Sequence, residues 1–176
     1  IGSGCAIEYG WKKTIPEYAF YDSEIETIEF PSELVSIGDC AFGNSKNLLS
    51  VTIPSLVKDI GLYAFENCSK ITAIEYPSSM TTVPKGLFKN SGLTSFDFSK
   101  ITAIEDEAFN GCLSLQDFEL TTKLTTIGNE VFAYCESLTE IHIPSSVISL
   151  GKGVFFACTN LHTSTLPNNF TVLPER

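Results

Sequence analysis

The chain has 176 residues, 43% hydrophobic and 18% charged, with 11 Lys plus Arg against 21 Asp plus Glu and a formal charge of -10. That apolar content excludes a disordered chain, and no run of about 18 apolar residues offers a membrane span. The acidic balance opposes a phosphate backbone, so no nucleic-acid partner is expected.

Residues 1–14 fit poorly with the rest of the chain and read as an irregular first coil or N-terminal cap. Ile1-Gly2-Ser3-Gly4-Cys5 has neither the basic nor the apolar region of a secretory leader, which says little about compartment. From residue 15 to 176 the chain repeats. A small or aliphatic residue precedes Phe at Ala19-Phe20, Ala41-Phe42, Ala64-Phe65, Leu87-Phe88, Ala108-Phe109, Val131-Phe132 and Val154-Phe155, with Phe spacings of 22, 23, 23, 21, 23 and 23. Further apolar columns succeed each Phe, opened by Ile25, Leu48, Ile71, Leu93, Leu115, Leu138 and Leu161. The seven columns hold 49 positions; only Ser164 is polar, whereas composition alone would make about 21 apolar.

The unit reads Leu-x-x-Ile-x-Ile-Pro-x-x-Leu-x-x-Ile-Gly-x-x-Ala-Phe-x-x-Cys-x-x. Twenty-three residues bury no core alone, but stacked copies share one. The Ile-x-Ile segment has strand period and strand residue types. Pro31, Pro54, Pro77, Pro144 and Pro167 end it, because Pro lacks a ladder donor. Gly38, Gly61, Gly128 and Gly151 are expected to allow a turn at positive φ. The Ala-Phe segment predicts a 3₁₀ turn or one helical turn. Asn44, Asn67 and Asn90 suit a tight corner. The column Phe20, Phe42, Phe65, Phe88, Phe109, Phe132 and Phe155 is expected to stack as an internal spine. About seven coils about 4.8 Å apart give a body of roughly 35 Å. The last coil is incomplete at Leu173-Pro174-Glu175-Arg176, which predicts a longer natural protein or an end packed on something.

The segments Ile53-Pro54 … Val57 … Ile60-Gly61 … Ala64-Phe65 … Cys68 … Ile71 and Ile143-Pro144-Ser145-Ser146-Val147 … Leu150-Gly151 resemble the BspA-like branch of leucine-rich repeats. Departures are local: the coils holding Phe20 and Phe88 are one residue shorter, and Ser99-Lys100 replaces the Pro segment. The resemblance implies a curved right-handed solenoid with a parallel sheet on its concave face and short turns, 3₁₀ turns or one-turn helices on the convex side. It also implies surface or secreted proteins of host-associated bacteria or protozoan parasites, linked to adhesion and protein binding. Fold does not set function, so that link is analogy.

On the strand, the residue between the two aliphatic positions points away from the core. That column is Glu29, Thr52, Glu75, Asp97, Glu119, His142 and Thr165; Asp117 and Glu140 lie two positions before Glu119 and His142 on the same face. One reading is an acidic stripe for a basic or hydroxyl-rich protein or glycan; the other is a sheet face kept polar for solubility. Stacked Glu75, Asp97 and Glu119 would repel, which a basic partner relieves.

Cys68, Cys112, Cys135 and Cys158 share one phase, three residues after the Phe, and Ser45 and Ser91 fill it elsewhere. They read as a buried structural column without internal disulfides, since parallel Cβ vectors do not face each other. A Cys5–Cys40 bond is a lesser alternative. His142 and His162 fall in different columns and no Cys-x-x-Cys occurs, so no metal is expected. Glu105-Asp106-Glu107 reads as a solvated turn rather than a Ca²⁺ loop. Two sequons occur, at Asn67 and Asn169, the first across a cysteine expected to be buried. No nucleotide, metalloprotease or hydrolase motif is found, so neither cofactor nor catalysis is expected. The leading expectation is an extracellular or cell-surface binding module. The alternative is an intracellular scaffold packed within a larger assembly, favoured by unpaired thiols.

Overall fold

The computed structural model describes residues 13–116 and 118–167. The chain winds as a parallel-strand β-solenoid of about seven turns. Its strands form two rows. One row lies just before the turn that leads to each Phe: β1 (Thr14–Ile15), β2 (Ser36–Ile37), β4 (Asp59–Ile60), β6 (Thr82–Val83), β7 (Ala103–Ile104), β8 (Thr126–Ile127) and β10 (Ser149–Leu150). The other is the Ile-x-Ile row: β3 (Ser50–Thr52), β5 (Ala73–Glu75), β9 (Glu140–His142) and β11 (Thr163–Thr165). Every pairing is parallel and one period apart, as in Val51 opposite Ile74 and Ile104 opposite Ile127. Among the described residues the Ile-x-Ile row is strand in two parallel pairs, β3–β5 and β11–β9.

The first row is itself broken between β4 and β6. Elsewhere the residue after this strand donates its N–H to the preceding coil, as Gly61 does to Ile37 O at 2.8 Å and Glu105 to Val83 O at 2.9 Å. Pro84 occupies that position in the broken coil and has no N–H to give.

The phenylalanine spine is a stack of seven rings. Centroid separations run from 5.1 Å for Phe20–Phe42 to 6.1 Å for Phe65–Phe88, and five of the six pairs lie within 15° of parallel. Phe42, Phe65, Phe88, Phe109 and Phe132 are fully buried. Phe96, Phe98 and Phe118 pack a second aromatic row against the middle of this stack.

The expected helical turn around Ala-Phe is absent, and no helix occurs among the described residues. The cause is the backbone on both sides of each Phe. Two residues before it, Tyr18, Cys40, Tyr63, Gly86, Glu107, Glu130 and Gly153 have positive φ; two residues after it, so do Asp22, Asn44, Asn67, Asn90, Gly111, Tyr134 and Ala157. A left-handed residue every fourth position cannot propagate a right-handed helix. The N–H groups instead bridge coils: Tyr63 N donates to Lys85 O, Phe65 N to Leu87 O and Asn67 N to Lys89 O, at 2.7–3.0 Å. The asparagine corner forms as expected, because Asn tolerates this conformation.

The glycines after the first-row strand do not need positive φ, contrary to the sequence expectation, since only Gly86, Gly111 and Gly153 adopt it. They permit close approach of neighbouring backbones. A Cβ on Gly61 would sit 2.3 Å from Asp39 N and 2.5 Å from Gly38 C; on Gly38 it would sit 2.5 Å from Glu17 N. Gly61→Ala is expected to lose about 1–3 kcal/mol in urea denaturation through this backbone clash. Gly153→Ala would meet nothing nearer than 3.3 Å but is strained by its φ of +60° instead; an unchanged stability in Gly61→Ala would refute the close-approach account.

Candidate functional site

On the Ile-x-Ile face, the pleat directs Val51 and Ile53 inward and Thr52 outward; Ile141 and Ile143 flank His142 in the same way. Glu29, Thr52, Glu75, Asp97, Glu119, His142 and Thr165 are all exposed. Glu140 is exposed too, and Asp117 lies outside the described residues. Thr52 stands opposite Glu75 and His142 opposite Thr165, with His142 Nδ1 2.6 Å from Thr165 Oγ1.

The three central carboxylates are not equivalent. Asp97 turns onto its own backbone, accepting the Ser99 N–H at 2.8 Å. The hydrogen bonds from Ser99 hold its carboxyl below the usual range, so it remains ionised. This side-chain turn stands where other coils have Pro, and residues 95–97 are not assigned as strand. Glu75, Asp97 and Lys100 line a cleft of about 320 Å³ together with Tyr76, Met80 and Ile101. The Tyr76 hydroxyl donates to Thr82 O at 2.7 Å, which holds that ring in the lining. The face is thus acidic, with one lysine and apolar side chains lining a notch beside Ser99, one of the two positions where the proline is lost.

Acidic residues elsewhere serve the coils. Asp39 Oδ1 accepts from Leu62 N at 2.8 Å and Asp106 Oδ1 from Asn129 N at 2.7 Å. Glu105 Oε2 accepts from Lys85 N at 2.9 Å, and Glu107 pairs with Lys89. The acids of Glu105-Asp106-Glu107 therefore each have a separate partner. No cluster of metal-ligating side chains occurs among the described residues.

The cysteine column is buried, with Cys68, Cys112 and Cys135 at 0% exposure and Cys158 at 9%. Each thiol donates to the carbonyl of the Phe one coil back: Cys68 to Phe42 O at 3.1 Å, Cys112 to Phe88 O at 3.1 Å, Cys135 to Phe109 O at 3.4 Å and Cys158 to Phe132 O at 3.0 Å. Ser45 makes the same bond to Phe20 O at 2.6 Å, which explains why Ser and Cys interchange in this phase. No disulfide joins the column. Burial raises the thiol pKa of Cys68 and of Cys112 from 9.0 to about 12, and raises those of Cys135 and Cys158 as well. Cys5 and the second sequon lie outside the described residues.

A feature not found from sequence is an amide ladder along the corner after the Phe. Asn67 Nδ2 donates to Asn44 Oδ1 at 2.8 Å and Asn90 Nδ2 to Asn67 Oδ1 at 2.9 Å, while Asn44 Nδ2 donates to the Tyr21 hydroxyl at 2.7 Å. The recurrence of Asn at one phase is the sequence signal for it.

Comparison with known proteins agrees with this architecture. No curated protein sequence matches the chain. Among solved structures, it is similar to a leucine-rich repeat protein from T. pallidum, at 28% identity and a TM-score of 0.52, over 88% of this chain and 63% of that one. It is also similar to the pneumococcal vaccine antigen PcpA, at 22% identity and a TM-score of 0.53, over 92% of this chain and 56% of that one. A leucine-rich cell surface protein from Faecalibacterium prausnitzii matches at 23% identity and a TM-score of 0.50, over 93% of this chain and 67% of that one. The chain thus spans less than two thirds of the length of the first of these proteins. The family described as "BspA type Leucine rich repeat region (6 copies)" matches residues 13–104 and 82–176, so the chain belongs to the BspA-type leucine-rich repeat family.

Proposed function

We propose that this chain is a non-catalytic adhesion module that presents its Ile-x-Ile face to a basic protein partner at a cell surface. The observation that carries this reading is the outward column Glu29, Thr52, Glu75, Asp97, Glu119, His142 and Thr165, exposed at every position and bearing four carboxylates. Repeat arrays use such extended faces for binding because the rigid core holds the side chains at fixed spacing. The acidic face steers a basic partner and fixes its register. The likeness to a leucine-rich cell surface protein favours a partner met at the cell surface.

The test is a binding screen against immobilised matrix and host surface proteins, repeated with the triple variant Glu75→Gln, Asp97→Asn, Glu119→Gln, in which Asn keeps the acceptor for the Ser99 N–H. Affinity for the partner is expected to fall at least about tenfold in the variant, and the wild-type affinity to weaken as salt rises through about 0.15 M. Unchanged affinity in a folded variant overturns the assignment of this face.

A further inference from the structure

The amide ladder stops abruptly, and the way it stops makes a slot. Along the corner column the side chains run Asn44, Asn67, Asn90, Gly111 and Tyr134, all at positive φ. Gly111 contributes nothing, so the column has a gap one coil deep between the Asn90 amide and the Tyr134 ring. Two coil spacings set the two backbones about 10 Å apart there. The space is a cleft of about 450 Å³, within the range of about 300–1,000 Å³ usual for small-molecule sites. A Cβ at Gly111 would lie 2.0 Å from Asn90 Oδ1, so the Asn90 amide leans over the glycine at the edge of the cleft and any side chain there would displace it.

The chemistry of the walls is specific. Asn90 Nδ2 is committed to Asn67, which leaves Oδ1 as the acceptor end of a directional ladder. Such chains polarise one another and strengthen the terminal acceptor. On the opposite wall Tyr134 is 43% exposed, and its ring is held edge-on to Phe156 at a centroid distance of 5.5 Å. Ser69 and Ser114 add hydroxyls, and no carboxylate, ammonium or guanidinium lines the cleft. The walls therefore fit a neutral ligand with one apolar face and several hydroxyl donors.

We propose that this cleft is a carbohydrate subsite for one pyranose ring, with the sugar's C–H face against Tyr134 and a hydroxyl donated to Asn90 Oδ1. It lies on a different part of each coil from the acidic column and stands independently of that face's role. A ring held by Phe156 and an amide held by the ladder need no reordering on binding, which favours affinity.

The test is saturation-transfer NMR with methyl glycosides of glucose, galactose, mannose and N-acetylglucosamine, then titration of the best binder. Transfer to sugar ring protons is expected, with shifts of the Asn90 side-chain and Gly111 amide signals. Gly111→Asn fills the slot at a position where this column already carries Asn, and Tyr134→Ala removes the stacking wall. Each is expected to weaken binding at least about tenfold while thermal melting shows an intact fold. Trisaccharides of the best binder separate a glycan chain, whose flanking rings add affinity, from a free monosaccharide, where they add none; either result keeps the pyranose in the slot. Absence of transfer from every glycoside, or binding unchanged in folded Gly111→Asn, overturns the proposal.

Discussion

Phe109→Ala is expected to cost about 3–5 kcal/mol, with most of the loss felt in the coils on either side. Phe109 is fully buried and meets four rings: Phe88 at 5.5 Å, Phe132 at 5.6 Å, Phe96 at 5.0 Å and Phe98 at 5.4 Å. Removing it opens a cavity that two stacked coils cannot close, because their backbones are tied to it on both sides. Phe109 N donates to Val131 O at 3.0 Å and Phe88 N to Ala108 O at 2.9 Å. Stability in a linear array is a sum of unit and neighbour terms, so damage to one unit reaches its neighbours directly. Phe155 is the contrast: it is only partly buried and stacks on Phe132 at 5.9 Å. Phe155→Ala should lose roughly half as much. Urea denaturation measures both losses, and hydrogen exchange locates them. Equal costs, or a loss of protection spread evenly over the chain, would show that the rings do not act as a shared spine.

The columns were legible in sequence because burial repeats with the chain's own period. Phe42, Phe65, Phe88, Phe109 and Phe132 occupy one environment five times over, and a shared environment leaves a shared residue type. The outward direction of Glu29, Thr52 and Glu75 came from strand alternation alone. What was not legible depends on a partner one period away. Gly61 looks like a turn residue in any local window, yet its constraint is the backbone of Asp39 in the coil before it. Pro84 looks like a substitution of one punctuating residue for another, yet it removes one of the N–H donors that tie the other coils to the strand row. The Ala-Phe segment has the composition of a short helix. Its N–H groups are taken by the next coil instead, and alternation of backbone hand results from that. Asp97 looked like one member of a repulsive stack, but its hydrogen bond to Ser99 reassigns it to the turn that replaces a proline. The slot at Gly111 needed the ladder to be seen first, because a glycine among asparagines has no meaning until the amides are known to touch.

Alkaline solution should unfold this protein through its cysteine column. Cys68 and Cys112 hold their protons to about pH 12 in the native state, against 9.0 for an exposed thiol, because a thiolate would be desolvated beside the Phe carbonyls. Below pH 9 both native and unfolded chains keep these protons, and stability does not depend on them. Above pH 9 the unfolded chain releases them first, so stability falls as pH rises, until the native thiols also ionise near pH 12. One pKa unit corresponds to about 1.4 kcal/mol. Each of these two thiols therefore withdraws about 2 kcal/mol by about pH 10.5 and about 4 kcal/mol beyond about pH 12. Cys135 and Cys158 are shifted in the same direction and add to the loss. Against a total stability of about 5–15 kcal/mol, unfolding is expected near about pH 10–11. Circular dichroism across about pH 8–12 reads the transition. The decisive comparison is the variant with Cys68, Cys112, Cys135 and Cys158 all replaced by Ser. Serine does not ionise in this range and makes the same bond, as Ser45 already does to Phe20 O. Its transition should move up by at least about one pH unit. Tyr76 limits the gain, since its buried phenol is also shifted upward and still ionises first in the unfolded chain. A serine variant that unfolds at the wild-type pH would place the alkaline limit in the growing negative charge of the surface instead.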